Sequence, residues 1–157
     1  MTQAPPPAAP APAVPQGASG PRATFGQRFV ALIIDTILIV IVAAVLVGIG
    51  AAIDESLAII MYLIVIVVAW GYYVYFEGGP TGQTIGKKAM NIRVISFDTG
   101  GEVGYGKAFV RQLVRSFISG AICFLGYLWM LWDKEKQTWH DKIASTVVVP
   151  TSAYPIS

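Results

Sequence analysis

The chain has 157 residues, of which 55% are hydrophobic and only 13% charged, and its formal net charge is +2. Both fractions lie far from those of an average soluble domain, so the composition indicates an integral membrane protein. The basic residues flank apolar segments instead of forming one patch, and there is a single cysteine, so we expect no nucleic-acid partner and no cysteine-based metal site.

The first 22 residues predict a disordered tail rich in proline and alanine. Seven of the ten prolines fall in residues 1–21, and no charge precedes Arg22. The stretch lacks the basic start and apolar core of a signal peptide. We expect a solvated cytoplasmic leader, with capture of a proline-recognising protein partner as the alternative.

Two long apolar segments follow, residues 29–53 with Asp35 as their one charge and residues 56–76 with none. A helix needs roughly 20 apolar residues to cross the hydrocarbon of a bilayer, and both segments are long enough. They are joined only by the short acidic link around Asp54. The pattern predicts an antiparallel pair of transmembrane helices.

The distribution of basic residues predicts the orientation of this pair. All eleven lysines and arginines lie outside the acidic link, before the first segment or after the second. Because cytoplasmic loops carry the excess of basic residues, we expect the Asp54 turn outside and the N-terminus in the cytoplasm. The predicted location is the plasma membrane, crossed more than once.

The stretch GGPTGQTIGKK, residues 78–88, resembles a phosphate-binding loop only superficially. Three residues instead of four separate Gly82 from Gly86, and Lys88 replaces the required hydroxyl residue. We expect a tight turn below the second helix, with contact to a lipid phosphate as the alternative. The residues concerned are Gly82, Thr84, Gly86, Lys87 and Lys88.

Two short β-branched stretches, residues 91–96 and 145–150, predict strands that pair on the cytoplasmic side. Between them, residues 107–117 predict an amphipathic helix at the membrane interface. Arg111 and Arg115 are four residues apart and therefore share one face of it. We expect both arginines to contact lipid phosphates, and the alternative is that they reach acidic groups of the core.

The third apolar segment, residues 116–132, is the hardest to interpret. Its 17 residues reach about 25 Å as a helix, against roughly 30 Å of hydrocarbon. A crossing would also place the basic residues 134, 136 and 142 outside and would separate the two strands. We therefore favour a re-entrant segment with the C-terminal tail, residues 151–157, in the cytoplasm, and a true crossing is the alternative.

Arg28 and Asp35 are seven residues apart, so they lie on one stripe of the first helix. A charged Asp35 facing lipid would cost about 2.5 kcal/mol or more, so this stripe should face protein. The pair His140-Asp141 near the end of the chain offers a partner.

Together with residues 82–88, these charged positions resemble the RDD family of bacterial membrane proteins, which is named for one arginine and two aspartates. Arg28, Asp35 and Asp141 match the three residues in the family's order, and the resemblance covers about residues 24–149. It implies an RDD-like membrane domain, here residues 23–150, with a small cytoplasmic face. Transport of unidentified ligands is the usual suggestion for the family, and no catalytic machinery comes with the resemblance.

The expected fold is an all-α integral membrane protein with a small cytoplasmic β-pairing. The first predicted function is that of a small transporter, which moves an ion, a proton or a small solute by means of the cluster Arg28, Asp35 and Asp141. The alternative is an adaptor or assembly factor in which this cluster is a structural clamp. We expect no enzyme and no cofactor, because no nucleophile–base pair or metal-ligand spacing is visible. A seam of small residues, Ala44, Gly48 and Ala52, predicts a homo-oligomer.

Overall fold

The computed structural model describes residues 18–119 and 125–156. Two long helices come first, α1 (Phe25–Ile53) and α2 (Glu55–Gly78). A capping box between Thr24 and Gln27 begins α1. Asp54 is the single residue between the helices, and its carboxylate accepts a hydrogen bond of 2.8 Å from the amide of Ser56 to begin α2.

The two helices pack side by side and run in opposite directions. Near the connecting turn, Gly50 lies so close to Ala58 that an added Cβ would come within 2.9 Å of its Cα. At the other end, the Tyr72 hydroxyl donates to Asp35 over 2.7 Å. Of the described residues, only these two helices are long and apolar enough to span a membrane, which confirms the two predicted segments. Much of their outward surface is apolar and exposed, including Ile37, Val40, Ile41, Val45, Ile49, Ile59, Leu63 and Val67.

The remaining described elements lie at the Arg28 end of this helix pair, and we call residues 79–119 and 125–150 the base layer. Its helices are α3 (Ile85–Ala89), α4 (Tyr105–Val114), α5 (Leu125–Leu128) and α6 (Trp139–Ile143), and its strands are β1 (Ile92–Ser96) and β2 (Thr146–Pro150). A π-helical turn, Arg115–Ser119, follows α4, and a 3₁₀ turn, Trp129–Leu131, follows α5.

The strands β1 and β2 form an antiparallel pair, which confirms the predicted pairing. Ile92 lies opposite Pro150, and Ser96 lies opposite Thr146. Because side chains alternate along a strand, the pair has two apolar faces. One face packs against Ala31 and Ala108 of α1 and α4, and the other packs against Ala18 and Tyr154.

The chain segments that precede α1 and follow β2 pack on the second face of this sheet. The amide of Ala18 donates to the carbonyl of Phe97 over 3.0 Å, and the amide of Gly20 donates to the Tyr154 hydroxyl over 2.5 Å. Residues 18–22 and 151–156 were assigned to tails from the sequence, but they belong to the packed part of the chain. The rest of the predicted proline-rich tail, residues 1–17, lies outside the described residues.

Helix α4 is amphipathic as predicted, but its polar face points into the protein. Ala108, Arg111 and Gln112 are buried, whereas Phe109, Val110 and Leu113 are exposed. The exposed side reaches α2, because the ring of Phe109 lies 6.1 Å from that of Trp70. A helix arranged in this way presents its apolar side outward and its arginines to the core.

The third apolar segment is not one straight helix in its described parts. The segment ends in α5 and the 3₁₀ turn, which pack against α6 of the base layer. The ring centroids of Trp129 and Trp139 lie 6.0 Å apart. The middle of the segment, residues 120–124, lies outside the described residues. Whether it re-enters or spans the membrane stays a prediction.

Candidate functional site

Asp35 is almost completely buried, with 1% of its surface exposed, and it accepts three hydrogen bonds. The hydroxyls of Tyr72 and Thr84 donate to it over 2.7 and 2.6 Å, and the amide of Gly86 donates over 2.8 Å. No cationic group is among these three donors. Asp35 thereby joins α1, α2 and α3.

Gly82, just before α3, and Gly86, within it, both lie too close to another segment of the chain to carry a side chain. Gly82 has a φ of +62°, and a Cβ there would meet the carbonyl of Val94, whose amide donates to Gly82 over 2.8 Å. A Cβ on Gly86 would lie 3.0 Å from the carboxylate carbon of Asp35 and still closer to the carbonyl of Ala31. The loop is therefore shaped to bring α3 against α1 and β1.

Lys87 and Lys88, the two lysines of α3, differ in their exposure. Lys87 is buried, and its Nζ lies 2.6 Å from Oε1 of Glu77. Lys88 is exposed. Lys87 is thus paired with an acid inside the protein, and contact of this stretch with a lipid phosphate stays a prediction.

Glu77, in the last turn of α2, is fully buried and collects three cations. Besides Lys87, its carboxylate pairs with Arg115 Nη2 over 2.9 Å and with Arg111 Nε over 2.7 Å. Arg111 and Arg115 share a helix face as predicted, but the expected contact with lipid phosphates at an exposed interface is wrong. Because this helix face is buried, the two arginines pair with acids of the core, as the alternative prediction stated.

Arg111 also connects Glu77 to a second carboxylate. Its Nη1 pairs with Asp141 and donates to the Thr146 hydroxyl over 2.9 Å. The other oxygen of Asp141 lies 2.6 Å from Nη2 of Arg28. The result is a continuous ion-pair network that joins α1, α2, α3, α4, the π-helical turn and α6. Its members are Arg28, Glu77, Lys87, Arg111, Arg115 and Asp141.

The structure brings together only two of the three residues expected in one cluster. Arg28 and Asp141 form an ion pair, whereas the carboxylate of Asp35 is bonded to hydroxyl and amide groups. The expectation of a single three-residue cluster is corrected in this respect. Neutral donors from α2 and from the start of α3 occupy the carboxylate of Asp35 instead.

Burial changes the proton affinities of groups in the base layer. Loss of water around Lys87 lowers its pKa to about 8, although Glu77 opposes this change. Loss of water likewise lowers the pKa of Arg111 to about 9. Burial, and then the positive charges of Arg111 and Arg115, hold the pKa of His140 well below its usual range, so this imidazole is neutral at pH 7.

A cavity of about 300 Å³ lies beside the network, between α1 and the base layer. Its charged lining comes from Arg28, Asp35, Lys87, Arg111 and Arg115, and its apolar lining includes Phe29, Leu32, Leu128 and Met130. Within residues 18–119 and 125–156, no group of three or more acidic, histidine or cysteine side chains is arranged to hold a metal ion.

The predicted oligomer seam lies on the surface of α1. Ala44, Gly48 and Ala52 are exposed, and an added Cβ on Gly48 would meet nothing within 4 Å. The small residue that packs closely within the chain is instead Gly50. The seam is therefore free to contact another chain, and the oligomer stays a prediction.

Two long apolar helices with exposed apolar surfaces, joined at one end to a base layer by buried ion pairs, define an α-helical integral membrane protein. The chain belongs to the RDD family, whose model matches residues 22–145. No solved structure matches the chain.

The chain is also similar to proteins from two mycobacteria. It is 44% identical over 81 residues to the proline-rich antigen homolog of Mycobacterium tuberculosis and to the proline-rich antigen of Mycobacterium leprae. The alignments cover 52% of this chain, but only 32% and 31% of the two relatives. The chain thus spans about a third of the length of these relatives.

Sequence reasoning missed Glu77, which has the most ion-pair partners in the network. A signal was present, because Glu77 is the only acid between Glu55 and Asp98 and it directly follows an apolar segment. An isolated carboxylate at the foot of a membrane helix needs a cation nearby. The stretch that follows supplies Lys87 and, further on, Arg111.

Proposed function

We propose that this chain is a plasma-membrane protein that crosses the bilayer twice, with its N-terminus and base layer in the cytoplasm. Its function is that of a membrane-anchored adaptor or assembly module, in which the ion-pair network holds the base layer against the helix pair. The observation that carries the proposal is that the buried carboxylates are already occupied by hydrogen-bond donors and cations of the same chain. Glu77, Asp141 and Asp35 each accept at least three hydrogen bonds or ion-pair contacts from within the chain.

Helix lengths support a membrane boundary at the level of Asp35 and Tyr72. From the Asp54 turn, 19 residues of α1 lead to Asp35 and 18 residues of α2 lead to Tyr72. At 1.5 Å per residue, these stretches measure about 28 and 27 Å, close to the roughly 30 Å of hydrocarbon. Asp35 would then lie where the hydrocarbon ends, and the network would lie among the lipid head groups.

The charge distribution supports the orientation. The turn between the helices carries the acids Asp54 and Glu55 and no basic residue, while Arg28 in the first turn of α1 and every other lysine and arginine of the chain lie at or beyond the opposite ends of the two helices. The positive-inside rule places that basic side in the cytoplasm. Pairing of β1 with β2 supports the re-entrant reading of residues 116–132, since it brings both flanks of this segment to one layer.

The clamp role follows from what the network connects. The contacts of Arg111 with both Glu77 and Asp141 join α2 to α6 through α4. Loss of one partner from a buried ion pair typically costs about 3–5 kcal/mol, because the remaining charge is left without compensation. A network of this kind fixes the position of a cytoplasmic layer, which is what an adaptor on a membrane anchor requires.

Transport is the second candidate, and one observation favours it. Asp35 and Lys87, two ionisable groups, both line the 300 Å³ cavity next to α1. A carboxylate in such a place can exchange a proton for a cation. With two spanning helices a pathway would require an oligomer, for which the exposed seam of α1 is available.

The substitution Asp35→Asn separates the two candidates. An amide keeps one acceptor oxygen but presents an NH₂ group to the Thr84 hydroxyl, so the adaptor proposal predicts lower stability and a lower folded yield. It also predicts that purified wild-type protein in liposomes moves no protons or monovalent cations above the rate of empty vesicles. Flux by the wild type that disappears in a stably folded Asp35→Asn variant would replace the adaptor proposal with transport.

A further inference from the structure

The cavity beside the ion-pair network has a mainly apolar surface, to which Phe29, Leu32 and Met130 contribute. The charged residues Arg28, Asp35, Lys87 and Arg115 are also among the residues that line it. Its volume of about 300 Å³ is sufficient for a small polar group together with the first part of a hydrocarbon chain. The lining therefore fits an amphiphilic ligand better than a simple ion.

The network has an excess of positive charge. Four cations (Arg28, Lys87, Arg111, Arg115) share two carboxylates, Glu77 and Asp141. Asp35 accepts hydrogen bonds from hydroxyl and amide donors outside this network, and even if its carboxylate is counted, one cation remains in excess. Buried charges are stable only when they are compensated, so an anion in the cavity would complete the balance.

A second, independent observation is an unused hydrogen-bond donor. Arg115 lines the cavity and is more than nine-tenths buried, but its Nε has no hydrogen-bond partner among the described residues. Its Nη groups are engaged with Glu77 and Gln112. Buried donors are rarely left unpaired in native proteins, and an arginine edge is well suited to a phosphate oxygen.

The apolar wall of the cavity is continuous with the surface of α1 that faces lipid. Phe29 lines the cavity and is also 50% exposed, and its neighbours Val30 and Ile33 are exposed as well. A hydrocarbon chain that leaves the cavity beside Phe29 can follow this exposed apolar surface past Ile33 to the level of Asp35, where the proposed hydrocarbon of the bilayer begins. This continuity gives the ligand an anionic head and an apolar tail.

We propose that this cavity holds the phosphate head group of an acidic membrane lipid, with an acyl chain leaving past Phe29 into the bilayer. Basic pockets on the cytoplasmic side of membrane helices are suited to such head groups. The inference rests on the membrane location proposed above. It differs from the arginine–lipid contact expected from the sequence, because the head group enters the protein instead of meeting an exposed helix face.

The test is lipid binding to the full chain purified in a nonionic detergent, followed by native mass spectrometry. The probes are phosphatidylglycerol and phosphatidylcholine with identical acyl chains, sodium oleate, and inorganic phosphate. We expect one phosphatidylglycerol per chain, bound at least tenfold more tightly than phosphatidylcholine. We expect oleate to bind more weakly than phosphatidylglycerol, and inorganic phosphate at millimolar concentration not to displace the lipid.

Two substitutions locate the binding site. Leu32→Trp fills the apolar part of the cavity without touching a charge, and Leu63→Trp makes the same change on an exposed surface of α2 as a control. We expect Leu32→Trp to weaken phosphatidylglycerol binding at least tenfold and Leu63→Trp to leave it unchanged. Arg115→Lys keeps the charge but removes Nε, and we expect it to reduce the preference for phosphatidylglycerol over phosphatidylcholine.

The outcomes distinguish this inference from the adaptor proposal, because binding in detergent depends neither on topology nor on transport. Equal binding of the two phospholipids, or wild-type binding by Leu32→Trp, overturns the lipid site. Displacement of the lipid by inorganic phosphate assigns the cavity to free phosphate, and oleate binding as tight as that of phosphatidylglycerol assigns it to a carboxylate. If Arg115→Lys does not fold, the comparison of Leu32→Trp with Leu63→Trp still decides.

Discussion

The Nε of Arg111 lies 2.7 Å from a carboxylate oxygen of Glu77, although 34 residues separate them in the chain. Both side chains are buried, with 1% and 0% of their surfaces exposed. The contact joins the end of the second membrane helix to a helix whose apolar side faces outward. The base layer is thus attached to the two long helices by buried ion pairs as well as by the apolar contacts of the sheet with Ala31 and Ala108.

Replacement of Glu77 should therefore have a large effect on stability. Glu77→Gln leaves Lys87, Arg111 and Arg115 without their shared carboxylate. We expect the free energy of unfolding to fall by about 3–5 kcal/mol, measured by chemical unfolding in detergent. The matched control is Asp98→Asn, which removes an exposed ion pair with Lys107 and should cost about 0–1 kcal/mol. Equal losses in the two variants would contradict the central role of Glu77.

Gly86 should tolerate no side chain. A Cβ at this position meets the carbonyl of Ala31 and the carboxylate of Asp35, so Gly86→Ala must push α3 away from α1. We expect a loss of at least about 2 kcal/mol of stability, the range of an overpacked core position. Gly106→Ala in α4 is the control, since nothing lies within 4 Å of its Cβ and alanine favours a helix. A stable Gly86→Ala variant would show that the close approach is not needed.

Hydropathy and spacing predicted the two long helices, the paired strands and the amphipathic helix α4, but not the short helices α3 and α6. The two membrane helices and the paired strands were predictable because apolar length and β-branched patterns are local properties of the chain. The spacing of Arg111 and Arg115 also predicted correctly that they share a helix face. The helical period of a sequence predicts which residues share a face. It does not predict whether that face lies against lipid or against protein.

The partners within the site could not be predicted in the same way. Asp35 has no cation bonded to its carboxylate because a five-residue helix, α3, brings Thr84 and the amide of Gly86 to it. In the sequence, Glu77 is one acid after an apolar segment, and its partners come from three later elements, α3, α4 and the π-helical turn. Both arrangements depend on how distant segments pack, which a single sequence does not encode in its local pattern.

The single histidine makes the stability of this protein sensitive to mild acid. The pKa of His140 is held well below 6.5 in the folded protein, first by burial and then by Arg111 and Arg115. The unfolded chain binds a proton near pH 6.5 and the folded chain does not, so stability is complete above that pH and falls below it. The loss approaches about 1.4 kcal/mol per pH unit.

Chemical unfolding at pH 7.5, 6.5 and 5.5 measures this dependence. His140→Gln removes the titrating group, so the difference between wild type and variant isolates it from the carboxylates of the chain. We expect the stability of the wild type to fall faster than that of the variant between pH 6.5 and 5.5. Parallel curves would mean that His140 becomes protonated as readily in the folded state as in the unfolded chain.

The proposed orientation predicts which positions a membrane-impermeant thiol reagent can reach. In a Cys123→Ser background, cysteine replaces one exposed residue at a time: Glu55 in the outer turn, Glu102 before the third apolar segment, or Lys134 after it. We expect intact cells to be labelled at position 55 alone, and inverted vesicles at positions 102 and 134. Labelling of position 134 from outside would show that the third segment crosses the membrane. It would also separate β2 from β1, so the pairing of the two strands and the ion pair between Asp141 and Arg28 could not exist in the membrane.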